Sequence, residues 1–227
     1  MYNRKKQQLL LSETAISDQA IVIVHGIWVN SWVMRKLARR LSNKGYVTYL
    51  FDYQSVKKSP EQNARLLSEF VKTIDQPVVH FVAHSLGGLV LLHYLNLSSQ
   101  QDQDRTGRVV MLGSPLNGSS RAPRILRIPF GRHLLGHSVQ KGLLGHDLQL
   151  PAELDAGMIC GTFRLGIGMI VGSFGEPHDG TVAVKETQFK GLTDSINIRI
   201  SHTGMLLSAK IAQQVVDFLQ NGLFSHS

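Results

Sequence analysis

A serine followed by two glycines stands directly behind an apolar run that has the composition of a buried strand. The run is PVVHFV (77–82) and the stretch is AHSLGG (83–88). A serine between small residues at a strand-to-helix turn is typical of a nucleophile elbow, in which the backbone turns sharply and holds one hydroxyl outward. The alternative is an ordinary turn in which the serine only caps the helix. Ser85 is therefore a candidate nucleophile.

A serine hydroxyl needs a general base, and the base needs a carboxylate that holds its tautomer. His202, in SHTGML, follows the last predicted strand, and Asp179, in HDGTV, lies in a glycine turn after an apolar stretch. Asp52 also ends a predicted strand and is the alternative acid, whereas the loop GSPLNGSS contains no carboxylate. We therefore predict a catalytic triad of Ser85, Asp179 and His202, in that order along the chain.

Backbone N–H groups beside the serine would stabilise the oxyanion that acyl transfer produces. Leu86 begins the helix after the elbow, where negative charge is favoured. The loop VHGIW (24–28) follows the first predicted strand, and Gly26 lets the chain fold back so that the Ile27 N–H is available. We predict that the N–H groups of Leu86 and Ile27 form an oxyanion hole. His25 is assigned to holding this loop rather than to catalysis.

Four residues near these groups are the predicted substrate pocket: Trp28, Val29, Trp32 and Met205. The alternative is that the residues of the GIWVNSW stretch simply pack against the domain. Two further histidines adjoin the predicted triad. His84 is expected to brace the elbow, and His178 is a weaker candidate for contact with substrate.

Apolar runs and amphipathic stretches alternate along the chain. The predicted strands are 20–24, 46–53, 77–83, 108–113, 157–163 and 195–201, and the predicted helices are 31–45, 59–74, 86–97 and 206–222. This alternation predicts an α/β fold with a mostly parallel central sheet of about six strands and helices on both faces. In such sheets the functional residues gather in loops at the carboxyl ends of the strands, which is where Ser85, Asp179 and His202 fall.

The bulk composition is that of a globular protein. The 227 residues are 43% hydrophobic and 18% charged, and we predict a single domain over 1–227. No run of the sequence reaches the length of a membrane span, and the N-terminus lacks a secretory signal, so we expect a cytoplasmic location that allows peripheral contact with a membrane. Cys160 is the single cysteine, and no Cys/His metal spacing is present. We expect neither a metal nor a cofactor.

A basic segment interrupts the alternation at 115–150, and we predict that it forms a cap or lid. The net charge is +8, and between residues 117 and 146 the chain has five basic residues and no acidic one: Arg121, Arg124, Arg127, Arg132 and Lys141. Among the apolar residues between them are Ile128 and Phe130. Such a cap could meet an anionic lipid surface, or its leucines could pack while its arginines are solvated. No nucleic-acid recognition module is visible.

The motifs VHGIW, AHSLGG, LGSPLNGS, DGTV and SHTGML, in that order, resemble the α/β-hydrolase fold. The resemblance is to compact bacterial lipases and esterases and to the lipase-like group that includes inositol deacylases, and it spans about 20–220. It implies a Ser–Asp–His triad, carried onto Ser85, Asp179 and His202, and an oxyanion hole. Ala83 departs from the glycine of the family's elbow, and we expect this chain to lack the family's first two strands, as the compact lipases do.

These observations predict a serine hydrolase of carboxylic esters that works through an acyl-enzyme on Ser85. The substrate would be a small-molecule or lipid ester. Two alternatives remain open from the sequence. One is acyl transfer to an alcohol or amine by the same triad, and the other is a non-catalytic hydrolase fold that binds anionic membrane surfaces.

Overall fold

Parallel strands form one central sheet. The computed structural model describes residues 4–127, 129–139, 142–165 and 175–226. These residues form the strands β1 (Gln19–Val24), β2 (Val47–Phe51), β3 (Val78–His84), β4 (Thr106–Leu112), β5 (Ala156–Gly161) and β6 (Asp194–Ile198). The strands pair in the order β2-β1-β3-β4-β5-β6, and every pair is parallel. The predicted parallel sheet is confirmed, and each strand overlaps its predicted range.

Helices occupy most of the connections between the strands. The described residues form α1 (Arg4–Glu13), α2 (Arg35–Ser42), α3 (Pro60–Lys72), α4 (Leu86–Leu97), α5 (Gln100–Arg105), α6 (Ala122–Leu126), α7 (Gly131–Leu135), α8 (Val184–Thr187), α9 (Gly204–Leu207) and α10 (Ala209–Asn221). Among these residues no helix combines the length and the apolar character needed to cross a bilayer.

Several helices differ from their predicted ranges because polar side chains cap the backbone locally. The predicted helix 31–45 begins as a 3₁₀ turn, Ser31–Met34, whose first turn is capped by the Asn30 side chain. The predicted helix 206–222 is divided at Ser208, whose hydroxyl accepts the Ile211 N–H at 3.3 Å and starts α10. The predicted helices did not include α1, α5, α6, α7 or α8. Periodicity over a long window does not detect these local hydrogen bonds.

The two faces of the sheet bury separate clusters of apolar side chains. Every residue of β1 is buried, as expected for a strand covered on both faces. Its residues alternate between the faces: Val22 packs in the cluster that contains residues of α3 and α4. Ile23 packs in the cluster that contains residues of α2 and α10. The predicted helical layers on both sides of the sheet are therefore present.

The basic segment at 115–150, hereafter the cap segment, contains α6, α7 and the 3₁₀ turn Gly136–Val139. Two hydrogen bonds join it to loops that follow β1 and β2. Trp28 Nε1 donates to the Leu134 carbonyl at 2.6 Å, and the His137 N–H donates to the Val56 carbonyl at 2.9 Å. The segment therefore contacts the carboxyl edge of the sheet. Its residues Ile128 and Lys141 lie outside the described part of the chain.

A buried histidine, His80, substitutes for a strand hydrogen bond within the sheet. The pairing of β3 with β4 shifts register between Val79 and Phe81. His80 Nδ1 accepts the Arg108 N–H at 2.8 Å, so its Nε2 carries the hydrogen and donates to Gln19 Oε1 at 2.9 Å. Burial lowers the pKa of His80 to about 3. The histidine is therefore neutral in the folded protein at ordinary pH.

We expect His80 to make the protein less stable in acid. Because its folded pKa of about 3 lies below the ordinary 6.5, its stabilising contribution is complete above pH 6.5. The contribution is lost as the pH falls, because the unfolded chain binds the proton first. By about pH 5, protonation of His80 in the unfolded chain should lower the free energy of unfolding by about 2 kcal/mol. Urea unfolding at neutral and acidic pH measures the loss.

The control for this prediction is His80→Gln, which keeps an amide at the site but cannot titrate. It should be less stable than the wild type at neutral pH and should lose less stability between neutral pH and about pH 5. The other buried histidines titrate equally in both proteins. The difference between the two losses of stability therefore reports on His80 alone. Identical losses would contradict the prediction.

Candidate active site

Ser85 is the single residue that connects β3 to α4. Its backbone has φ 54° and ψ −124°, a strained combination for an L-residue that persists only where the surrounding structure enforces it. The Ser85 N–H donates to the Leu112 carbonyl at 3.0 Å, and the Gly88 N–H donates to the Ser85 carbonyl at 3.0 Å. The serine is thus held in the kind of sharp turn that defines a nucleophile elbow.

Small residues allow α4 to approach the end of β1 at this turn. A Cβ atom on Gly87 would lie 2.5 Å from the His25 carbonyl oxygen, and one on Gly26 would lie 3.1 Å from the Cβ of Ser85. A larger side chain at either position would push the helix or the loop away from the serine. Ala83 is fully buried in β3, so alanine in place of the family's glycine is accommodated there.

The two N–H groups predicted for the oxyanion hole come from different loops beside the serine. Leu86 is the first residue of α4, where N–H groups have no acceptor within the helix. Ile27 lies in the loop after β1, half-buried against the core. The next N–H along that loop, from Trp28, donates to Ser55 Oγ at 3.2 Å. This bond ties the loop to the β2–α3 connection and restrains the backbone around Ile27.

Asp179 and His202 form a buried hydrogen-bonded pair. His202 Nδ1 lies 2.6 Å from Asp179 Oδ2, and the His202 N–H donates to the Asp179 carbonyl at 2.9 Å. The other carboxylate oxygen, Oδ1, accepts the N–H groups of Thr181 at 2.8 Å and Val182 at 2.7 Å. The carboxylate is therefore fixed in place, and it holds the hydrogen of His202 on Nδ1. This leaves Nε2 of His202 with a lone pair that can accept a proton.

The pair and the elbow meet at the carboxyl edges of β3 and β4. A Cβ atom on Gly113 would lie 2.9 Å from Asp179 Oδ2 and 3.1 Å from His202 Nδ1. Gly113 directly follows the residue whose carbonyl accepts the Ser85 N–H. On the other side, His84 Nε2 lies 3.1 Å from the His202 carbonyl oxygen. The three residues predicted as a triad are thus brought to one place from distant parts of the chain.

Asp52, the alternative acid, lies in a different environment. Its Oδ1 accepts the Ser31 N–H at 2.9 Å and lies 3.3 Å from His25 Nε2. His25 Nδ1 donates to the Gly26 carbonyl at 2.8 Å, and the His25 ring stacks on Tyr53 with centroids 4.2 Å apart. Burial lowers the pKa of His25. These contacts hold the loop after β1, so the structure places Asp52 and His25 in a supporting position.

The four residues predicted for the substrate pocket are divided between the surface and the core. Trp28, Val29 and Trp32 are exposed beside the loop that contains Ile27. Met205, by contrast, is 0% exposed. Its methyl carbon would be 3.2 Å from a Cβ atom on Gly113. Met205 therefore packs in the core beneath the histidine–carboxylate pair and does not line an open pocket.

His178 lies directly before the carboxylate and is buried. Its Nδ1 accepts the Gly180 N–H at 3.0 Å, and the residue forms an isolated bridge with Ala183. Burial and the positive charges of Arg164 and Arg121 lower the pKa of His178. These contacts shape the turn that presents Asp179.

Sequence reasoning missed two residues that support the site. Gly113, with φ 55°, leaves the space that the histidine–carboxylate pair occupies, and its signal was a glycine directly after a strand. Glu186 Oε1 accepts both the N–H and the hydroxyl of Ser120 at 2.6 Å, and Oε2 accepts the Ala183 N–H at 2.9 Å. Glu186 therefore ties the loop after β4 to α8. No local pattern in the sequence announces this long-range bond.

Within the described ranges, no group of three or more histidine, cysteine, aspartate or glutamate residues is arranged to hold a metal ion. Cys160 is buried, with its sulfur 2.9 Å from Thr187 Oγ1.

Solved structures with the same fold include several lipases and esterases. The mature form of the Bacillus licheniformis lipase BlEst2 has a TM-score of 0.71 at 19% identity, over 88% of this chain and 90% of that one. Phospholipase PlaB from Legionella pneumophila has a TM-score of 0.71 at 15% identity, over 90% and 60%. The metagenomic carboxyl esterase MGS0156 has a TM-score of 0.63 at 18% identity, over 83% and 66%. At these identities the likeness establishes the fold.

No curated protein matches this sequence. Residues 21–178 match the model of the alpha/beta hydrolase family. That range covers most of β1 and all of β2 to β5, and it includes the elbow at Ser85. The chain therefore belongs to the alpha/beta hydrolase family.

Proposed function

We propose that the protein is a serine hydrolase that cleaves carboxylic esters through an acyl-enzyme on Ser85. The observation that carries the proposal is the buried Asp179–His202 pair, 2.6 Å apart, at the same sheet edge as a serine with φ 54°. An imidazole oriented by a carboxylate beside a strained serine is the arrangement that activates a hydroxyl as a nucleophile. The lipases and esterases among the fold's relatives support an ester as the substrate class.

In the first half of the reaction, Ser85 Oγ attacks the carbonyl carbon of the ester while its proton passes to Nε2 of His202. Asp179 stabilises the imidazolium that results. The carbonyl oxygen becomes an oxyanion, which the N–H groups of Ile27 and Leu86 stabilise. His202 then returns the proton to the leaving oxygen. The alcohol departs and the acyl group stays on Ser85 as an ester.

In the second half, a water molecule attacks the carbonyl carbon of the acyl-enzyme and gives a proton to Nε2 of His202. The same N–H groups stabilise the second oxyanion. When the bond to Ser85 Oγ breaks, the serine oxygen takes the proton back from His202. The products are the free carboxylic acid and the regenerated enzyme.

A fluorophosphonate probe tests the proposal directly. The probe should phosphonylate Ser85 Oγ with loss of fluoride, and mass spectrometry of the peptide that contains Ser85 should show the added mass. A series of p-nitrophenyl esters of graded chain length then gives the preferred acyl length. Adding an alcohol or amine acceptor distinguishes hydrolysis, which yields only free acid, from acyl transfer. A protein that neither labels at Ser85 nor cleaves any ester contradicts the proposal.

We also propose that the ester is taken from an anionic lipid surface. Large apolar side chains are exposed beside the site: Trp32 is 64% and Phe130 79% exposed. A hydrogen bond from Trp28 joins the loop after β1 to the cap segment, so the two parts form one surface.

The exposed arginines of the cap segment are Arg124, Arg127 and Arg132. A cavity of about 550 Å³ in the same segment is lined by Leu126, Leu144 and Arg132, among others. Apolar anchors among cations suit an anionic bilayer.

Removing the two most exposed aromatic rings should weaken binding to such a surface. The variant pairs Trp32→Ser with Phe130→Asn, because asparagine tolerates the φ of 63° at position 130. Co-sedimentation with phosphatidylglycerol vesicles should show a loss of affinity of about tenfold or more. Added salt should weaken binding of the wild type.

The matched control is Leu223→Ser, because Leu223 is also exposed, at 55%, but lies beyond the end of α10. The neighbouring Phe224 N–H bonds to Asp194 at the start of β6, so this control lies at the opposite edge of the sheet. Its binding should equal that of the wild type. Equal losses in both variants, or binding to neutral phosphatidylcholine vesicles alone, would contradict the proposed surface.

A further inference from the structure

His84 immediately precedes Ser85 and reaches the backbone of His202. Its Nε2 lies 3.1 Å from the His202 carbonyl oxygen, and the two rings are 4.4 Å apart at an angle of 43°. The His84 side chain is buried at the end of β3. The side chain next to the nucleophile is therefore bonded to the residue that serves as the proposed base, 118 positions along the chain.

The hydrogen bond determines the tautomer of His84. A carbonyl oxygen can only accept, so Nε2 must carry the hydrogen and Nδ1 the lone pair. Nδ1 faces the loop after β1, where a Cβ atom on Gly26 would lie 3.2 Å from it. Burial and the nearby charges of His202 and His25 lower the pKa of His84 well below its ordinary value. The ring therefore stays neutral and keeps donating when His202 takes up a proton.

Within the described part of the chain, three hydrogen bonds hold His202. Its N–H donates to the Asp179 carbonyl at 2.9 Å, and its Nδ1 donates to the Asp179 carboxylate at 2.6 Å. Both of these join the base to the loop of the acid. The third bond, from His84, joins the base to the elbow, one peptide unit away from Ser85. The third bond is therefore a direct link between the base and the elbow.

We propose that His84 is a positioning residue: its Nε2–H holds the backbone of His202 against the elbow so that Nε2 of His202 is within reach of Ser85 Oγ. This inference rests on the hydrolase function proposed above. It assigns His84 a role that acts through the backbone of His202 and not on the substrate. A displacement of about 1 Å between reacting groups can lower the rate about 100-fold, so loss of one such bond should be visible in the chemical step.

The test compares His84→Met, which fills the buried position with a side chain that has no donor, with His84→Gln. The amide nitrogen of glutamine extends to about the position of histidine Nε2 and can donate to the same carbonyl. We expect His84→Met to lower kcat about 100-fold with KM changed by less than about threefold, because the chemical step is impaired and binding is not. His84→Gln should restore most of kcat. Phosphonylation of Ser85 should slow and recover in parallel.

The matched control is His80→Met, a second buried histidine on β3 with its own hydrogen bonds. It should lower the melting temperature while leaving kcat of the folded fraction unchanged. If His84→Met retains wild-type kcat, or if His84→Gln loses as much as His84→Met, the positioning role is overturned while the hydrolase function stands. A long-range ¹H–¹⁵N spectrum that shows His84 protonated on Nδ1 would also overturn it. A wild-type protein without turnover or labelling overturns both proposals.

Discussion

Ser85→Ala is expected to reduce ester hydrolysis by about 10⁴-fold or more while leaving the melting temperature nearly unchanged. Alanine removes the attacking oxygen and nothing else, because the Ser85 backbone N–H and carbonyl make the hydrogen bonds that hold the turn. Initial rates with a p-nitrophenyl ester and a thermal unfolding curve measure the two effects. Wild-type turnover in this variant would mean that the nucleophile lies elsewhere.

Ser85→Gly provides a matched variant that separates catalysis from backbone strain. The Ser85 dihedral angles of φ 54° and ψ −124° correspond to a turn position that favours glycine. Glycine should therefore be as inactive as alanine but should raise stability by about 1 kcal/mol, since relief of strain exceeds the extra entropy of the unfolded chain. A glycine variant less stable than the alanine variant would show that the turn is not strained.

Asp179→Asn is expected to lower kcat by about 10⁴-fold. The reason lies in the two N–H groups, from Thr181 and Val182, that Oδ1 accepts. An asparagine must keep its carbonyl oxygen at that position, so its NH₂ group would face His202 Nδ1. That nitrogen would then have to accept, and the hydrogen would move to Nε2. The imidazole would be held in the tautomer that cannot take a proton from Ser85.

The control for this variant is Asp52→Asn, because Asp52 also ends a strand but bonds to the Ser31 N–H and lies beside His25. It should retain kcat within a few-fold. Unfolding curves should show that Asp179→Asn is folded, since its bonds to the backbone are kept. A comparable loss in both variants, or none in Asp179→Asn, would contradict the assignment of Asp179 as the acid.

Local patterns were sufficient for most of the architecture. The apolar run of β1 and the capping box of α3, in which Ser59 and Gln62 bond to each other's backbone, are visible within a few residues of sequence. The elbow is local too, because it needs a serine between small residues at a strand-to-helix turn. Elements that depend on a few neighbouring residues were therefore predicted with ranges that overlap the observed ones. The break at Ser208 was not predicted, because it depends on a single side-chain hydrogen bond.

Contacts between residues distant along the chain could not be predicted from local patterns. The sequence offered Asp179 and Asp52 as acids, and the fold placed one of them 2.6 Å from His202. Met205 was predicted at the substrate pocket, yet it packs in the core. The bond from His84 to His202 could not be predicted from the sequence, because its two partners are 118 positions apart and no local pattern pairs them.

By itself the sequence determined the kind of chemistry: a serine, an imidazole and a carboxylate at the ends of parallel strands, with small residues where a helix must come close. Only the tertiary structure decided which carboxylate meets the imidazole, which histidine joins the base to the elbow, and which apolar side chains stay exposed. The physical reason is that strand and turn preferences act over a few bonds. The position of Ser85 relative to His202 depends instead on the packing of the whole sheet.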